Sequence, residues 1–185
     1  IDFSKILKQI YLNLVIWSDK RNVKLVIALF YNQDEEAHKE ELKFYQDGME
    51  KYSHVEYSAN NRKKMLSYKL GMESEVVVAI DSTLSYELFG YGCKLLFCVG
   101  ADKDFLARWG CTGNISKMPK LVLLEQLNSN HFEEKMDKLF FTEYQQYLTI
   151  TKDARSYYMK FNENPAYDII KNDIVCFLEN NKKTT

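Results

Sequence analysis

Val76-Val77-Val78-Ala79-Ile80, then Asp81-Ser82-Thr83-Leu84-Ser85-Tyr86-Glu87-Leu88-Phe89-Gly90-Tyr91-Gly92, then Cys93-Lys94-Leu95-Leu96-Phe97-Cys98, is the stretch on which the fold turns. Its opening run is continuously apolar and mostly β-branched, the pattern of a strand buried on both faces. Asp81, Ser82 and Thr83 are residues that start helices. Leu84, Leu88 and Tyr91 then recur at helical spacing, Gly90 and Gly92 close the helix, and Lys94–Val99 reads as the next strand. Strand, helix and strand at this spacing predict a parallel crossover.

The same alternation extends in both directions. Upstream, Lys24–Phe30 is a short apolar run of strand length, Leu42, Tyr45, Met49 and Tyr52 mark an amphipathic helix, and Val55–Ser58 is a second short strand. Residues 61–73 read as a helix with a narrow stripe of Met65, Leu66, Lys69 and Leu70. Downstream, a Gly-containing loop spans 100–120, Leu121–Leu124 reads as a fifth strand, and Asn130 with Glu133 is a capping box for the helix carrying Phe132, Met136 and Leu139. The expected architecture is a three-layer α/β/α domain of Rossmann-like type, with a parallel sheet of about five strands and the strand ending at Ile80 near its centre. Residues 22–141 form that layer in this reading. Residues 1–21, with Phe3, Ile6, Leu7, Ile10 and Leu14 on one helix face, and residues 142–185, with Asn164-Pro165 opening a last helix, lie outside it.

Composition narrows the function classes. The chain has 185 residues, 46% hydrophobic and 28% charged, with a net charge of -1, 2 Pro and 7 Gly. That excludes collagen-like and low-complexity chains, and the net charge lacks the basic excess of a general nucleic-acid binder. Mean hydropathy is -0.39, and no apolar run approaches the roughly 20 residues of a membrane helix. Cys93, Cys98, Cys111 and Cys176 form no CxxC pair, and His38, His54 and His131 are scattered, so no metal site is expected. Reduced thiols fit a cytoplasmic chain. The chain opens at Ile1 without Met, which fits a piece of something longer.

In open parallel sheets, ligands bind beyond the carboxyl ends of the strands. Ser82 and Thr83 stand there, where hydroxyls, free backbone N–H groups and the helix dipole favour a phosphate. A plain N-cap explains the same residues. Glu87 can accept hydrogen bonds from sugar or ribose hydroxyls, or can sit in solvent. In the loop, Arg108 can meet a pyrophosphate and Trp109 can stack on a base or wall a pocket; equally, the loop's aromatic can cover the sheet edge. No G-x-G-x-x-G, P-loop or nucleophile-elbow motif is present.

Val76–Cys98 resembles the strand, Ser-Thr-Leu-x-Tyr-Glu, short helix, Gly-x-Lys-x-Leu-Phe pattern of bacterial surface-carbohydrate (capsule and lipopolysaccharide) biosynthesis proteins, which look like glycosyltransferases of the GT-B type in their C-terminal half. Tyr158–Tyr167, with its tyrosines, Asn-rich turn and following helix, is similar to the tail of that family. The resemblance implies the donor-binding half of a GT-B enzyme. Ser82 and Thr83 would face the diphosphate of a nucleotide sugar and Glu87 its ribose or sugar, with Arg108 offsetting leaving-group charge. It implies no cofactor beyond the nucleotide-sugar substrate, a glycan or lipid-linked acceptor, an N-terminal partner domain without which the chain is inactive, no nucleic acid, and a place in the cytoplasm or at the inner membrane face. Leu88-Phe89-Gly90-Tyr91 departs from the small-residue helix usual after that glutamate. A nucleotide-sugar epimerase-like domain and a non-catalytic Rossmann-like module of an assembly complex remain alternatives.

Overall fold

The protein is described by a computed structural model over residues 3–80, 82–98 and 117–159. Helix α1 spans Phe3–Arg21 and runs through Ser18-Asp19-Lys20-Arg21 rather than breaking there. Two things carry it on. Trp17 is buried, and the Ser18 hydroxyl donates back to the Val15 carbonyl at 2.9 Å. The helix ends at Asn22 in the left-handed region (φ 52), with the Val23 amide donating to the Ser18 carbonyl at 2.9 Å. That closing bond satisfies a last-turn acceptor, and Lys20 and Arg21 suit the negative end of the helix dipole.

Next come β1 (Leu25–Asn32), α2 (Glu36–Gln46), β2 (Val55–Asn60), a 3-10 turn (Arg62–Lys64) and α3 (Leu66–Glu73). They are followed by β3 (Val77–Ala79), α4 (Thr83–Gly90), β4 (Leu95–Phe97), a second 3-10 turn (Lys120–Val122), α5 (Ser129–Phe141) and α6 (Tyr144–Tyr158). β1 pairs with β2 in parallel, Leu25 opposite Val55 through Ala28 opposite Ser58, then shifts register to Asn32 opposite Asn60. β3 pairs with β4 in parallel, Val77 opposite Leu95 through Ala79 opposite Phe97.

The fold is thus α/β, but the expected five-stranded Rossmann-like sheet is not formed. Among the described residues the strands make two separate two-stranded parallel sheets, and β3 has β4 as its ladder partner instead of lying at a sheet centre. The expected strand at Leu121–Leu124 is mostly the turn after Pro119, which fixes φ and begins a 3-10 bend. Only Leu123 bridges Phe97, with the Leu124 amide donating to the Phe97 carbonyl at 2.9 Å. The cap of α5 is Asn128, whose side chain accepts from the His131 amide at 2.8 Å, in place of Asn130. The last helix expected after Pro165 lies outside the described residues.

The main core gathers Leu88 and Phe89 of α4, all of β4, Val122, Leu124, Phe132, Met136 and Leu139 of α5, and Tyr147 of α6. Burying each large apolar side chain stabilises by roughly 1.5–3 kcal/mol. Ile10 and Trp17 of α1 reach into it. The opposite face of α1 gives Tyr11 and Val15 to a smaller cluster with Leu25 and Met49. α1 is therefore shared by both sheets. It is tied to α5 by the Trp17 indole N–H and the Arg21 Nε, each donating to Asp137 at 2.9 Å.

Candidate functional site

α4 starts immediately beyond β3, so its first residues stand at the carboxyl edge of the β3–β4 pair. Ser82 is extended (φ -151, ψ 129) at the N-cap position, and its carbonyl accepts the Ser85 amide at 3.0 Å. Its side chain makes no capping bond. The plain capping explanation of this serine is therefore not what its hydroxyl does. Ser82 and Thr83 are both exposed. Thr83 and Glu87 are four residues apart in α4 and share a face.

Glu87 is half-buried, and the Tyr68 hydroxyl of α3 donates to its carboxylate. That bond and, second, burial push the Tyr68 phenol up to about 12. Glu87 is thus a positioned carboxylate with lone pairs left for another donor. Tyr68 lies off the stripe of Met65, Leu66, Lys69 and Leu70, so no helical spacing marks it. Arg108 and Trp109 lie outside the described residues.

A cleft of about 260 Å³ opens at the other edge of the same strand pair, lined by Met72, Ser74, Glu75, Tyr91, Gly92, Cys93, Lys94 and Tyr144. Lys94 is only 6% exposed, and its ammonium donates to Glu75 at 2.9 Å and to the Phe140 carbonyl at 3.1 Å. The Glu75 carboxylate offsets that charge, so the ion pair supplies no spare cation for a phosphate. Burial pushes the Cys93 thiol up, which leaves it a poor nucleophile. A side chain at Gly92 (φ +92) would press on Leu148 at 3.1 Å and on the Tyr144 hydroxyl at 3.2 Å. In the sequence Gly92 closes a helix and Lys94 opens a strand; a lysine at the head of an apolar run is the available signal of the buried ion pair.

A third cluster has the appearance of a catalytic triad. The Ser18 Oγ lies 2.9 Å from His54 Nε2, and His54 Nδ1 lies 3.6 Å from Asp19 Oδ1. Ser18 is 1% exposed and its proton goes to the Val15 carbonyl, so the hydroxyl accepts from the imidazole instead of being activated by it. The cluster ties the end of α1 to the start of β2. Among the described residues no three His, Cys, Asp or Glu side chains converge on a metal position, and no helix is long and apolar enough to cross a membrane.

Neither a curated protein nor a solved structure matches the chain. A family model matches residues 2–102, the span from α1 past β4 that contains both sheets and the Ser82–Glu87 segment. This match carries the surface-carbohydrate part of the resemblance seen in Val76–Cys98, and it does not extend to a GT-B glycosyltransferase domain. With more than half its length matched, the chain belongs to the family described as "putative O-antigen biosynthesis protein".

Proposed function

We propose that the chain serves O-antigen assembly by holding an activated sugar, a nucleoside diphosphate sugar, at the amino end of α4. One observation carries the reading: the Ser82 side chain makes no capping bond, and both it and Thr83 are exposed at a helix start that follows a strand. A diphosphate there accepts from the two hydroxyls and from the first-turn amides, and the helix dipole favours its charge. Glu87, held by Tyr68, accepts from a ribose or sugar hydroxyl. Arg108 and Trp109 belong to the same proposal by their place in the Gly-flanked loop of the sequence, as a pyrophosphate contact and a base or pocket wall. A glycan or lipid-linked acceptor and an N-terminal partner domain belong to the proposal through the resemblance, and catalysis is not assigned to any residue.

Calorimetric titration with uridine, guanosine and thymidine diphosphate sugars tests this. A hydrogen bond to a charged group contributes about 1.5–3 kcal/mol, so Ser82→Ala weakens binding about 10-fold or more. Glu87→Gln keeps the shape, removes the charge and weakens the nucleotide sugar more than the bare nucleotide. Thr149→Ala, an exposed hydroxyl on α6 that donates to the Gln145 carbonyl, leaves binding unchanged. Equal affinity for wild type, Ser82→Ala and Glu87→Gln would overturn the assignment.

A further inference from the structure

The cleft at the amino edge of the β3–β4 pair gathers three exposed large apolar side chains: Met72 of α3 (53% exposed), Tyr91 at the end of α4 (56%) and Tyr144 at the start of α6 (48%). The backbone among them is pinned to the core. The Cys93 amide donates to the Leu88 carbonyl at 3.0 Å, and the Cys93 carbonyl accepts the Tyr147 hydroxyl at 2.6 Å. Gly92 leaves open the space next to the Tyr144 hydroxyl, which a Cβ would approach to 3.2 Å. Polar groups stand among the apolar ones. Ser74 spends its hydroxyl proton on the Leu70 carbonyl at 2.6 Å and keeps its lone pairs. Glu75 is exposed and holds the buried Lys94 ammonium, which spends two of its three protons, on Glu75 and on the Phe140 carbonyl. The two charged side chains of the lining are thus paired with each other. Outside the lining neither sign prevails: Glu73 faces Lys69 at 3.9 Å, Glu143 precedes Tyr144, and Arg155, near Gly92, donates to the Leu148 carbonyl and the Thr151 hydroxyl, each at 3.2 Å.

We infer that this cleft binds a neutral pyranose unit of the acceptor glycan. The inference rests on the proposed part of the chain in O-antigen assembly and says where the acceptor sits; it needs no donor at Ser82 and Thr83. A pyranose has an apolar face of axial C–H groups and a polar edge of hydroxyls. The C–H face packs on the electron-rich faces of tyrosine rings and on the Met72 thioether. The hydroxyls donate to Glu75 and Ser74 and accept the third Lys94 proton. A phosphate would meet the Glu75 carboxylate and a cation already paired. A wholly apolar ligand would bury Ser74 and Glu75 without new partners, which costs free energy. At about 260 Å³ the space is smaller than the roughly 300–1,000 Å³ of pockets that enclose drug-sized ligands, so it takes one ring and not a whole nucleotide sugar.

Backbone amide shifts of the full chain, followed as the methyl glycosides of glucose, galactose, mannose and N-acetylglucosamine are added, test the inference. Saturable shifts at Met72, Gly92, Cys93, Lys94 and Tyr144 are expected with at least one of the four. The expected Kd is on the order of 1 mM, as ordinary ligand efficiency gives for roughly a dozen heavy atoms. Tyr144→Ala removes a stacking face and weakens binding about 10-fold, whereas Tyr144→Phe keeps the face and binds within about 3-fold of wild type. Ser82→Ala leaves the glycoside shifts unchanged, and uridine diphosphate reports on Ser82–Glu87 alone, so failure of the donor site and failure of the cleft are read separately. No saturable shift at the cleft with any of the four glycosides, or undiminished affinity in Tyr144→Ala with an unchanged thermal melt, would overturn the inference. So would inorganic phosphate that binds the cleft as tightly as the best glycoside. The wild-type titrations decide the matter even if a variant fails to fold.

Discussion

β1 and β2 have eight and six residues, β3 and β4 only three each, yet β4 is buried along its whole length while β1 alternates and leaves Ala28 and Phe30 in solvent. Ladder length and core thickness are decoupled in this molecule. The short pair is held by what lies on it: α4, α5 and α6 bring Phe89, Phe132, Met136 and Tyr147 against Leu95–Phe97. The long pair is covered by α2, by Tyr11 and Val15 of α1, and by Met49. Backbone hydrogen bonds replace bonds to water and contribute little net, whereas buried apolar area contributes in proportion to its size. The carboxyl edge of β3 thus borders the larger core, and it is where the sugar-binding proposal stands. The carboxyl edge of β2 carries the exposed Arg62–Lys64 turn, beside the acidic turn at 34–36 that follows β1.

The comparison breaks first in the cores. Phe89, 0% exposed, changed to alanine costs about 3–5 kcal/mol, whereas Met49→Ala in the smaller cluster costs about 2 kcal/mol. Urea titrations that gave equal losses would remove the distinction between the two halves. Gly71→Ala is next. A Cβ there would meet Leu88 Cδ1 at 2.4 Å, inside the packing of α3 against α4. Helix propensity favours the change by up to about 1 kcal/mol, so a net destabilisation of about 1–2 kcal/mol in a thermal melt is the mark of that contact.

The shared helix gives the third test. Asp137→Ala strands the buried Trp17 indole N–H and frees Arg21, at a cost of about 1–3 kcal/mol. The Arg21 hydrogen bond, followed by that of Trp17, holds the Asp137 carboxyl below its ordinary 3.8. A depressed folded-state value makes the contribution complete above the ordinary value and removes it as pH falls through the folded one. Wild type therefore loses stability below about pH 4 more steeply than the variant, which paired acid melts measure. Smallest is Met65→Gly, which relieves a left-handed backbone at a side chain exposed to solvent and raises stability by about 0.5–1 kcal/mol. No gain would mean the turn is held by more than the Asn61 side chain, which accepts the Lys64 amide at 3.1 Å.

Much of this was legible in the residues. The apolar runs at Lys24–Phe30 and Val55–Ser58 overlap β1 and β2, which each run two residues further, and those at Val76–Ile80 and Lys94–Val99 contain β3 and β4, because short β-branched and aromatic runs between polar breaks have few other solutions. What such runs do not encode is which neighbour they pair with. Residues 24–30 look the same whether both faces are covered or one, and here Val26 and Ile27 are only half-buried. That ambiguity underlies the expectation of a five-stranded sheet where two pairs form. Leu121–Leu124 is apolar because it is buried, and Pro119 ahead of it was the sign that burial did not require a strand. At the site, the position of Ser82 beyond β3 followed from strand and helix order, while Tyr68 and the Lys94–Glu75 pair did not. Tyr68 of α3 meets Glu87 of α4, Glu75 ahead of β3 meets Lys94 ahead of β4, and contacts between elements leave no local spacing to read.

The most direct test of the central claim is to follow backbone amide chemical shifts while a uridine diphosphate sugar is added, with the guanosine and thymidine analogues in parallel. The account predicts saturable shifts at Ser82, Thr83, Leu84 and Glu87, with Tyr68 moving as its bond to Glu87 is shared, and their loss in Ser82→Ala. Shifts confined to Met72, Gly92, Cys93, Lys94 and Tyr144, the lining of the opposite cleft, or no saturable shift with any of the three, would contradict it.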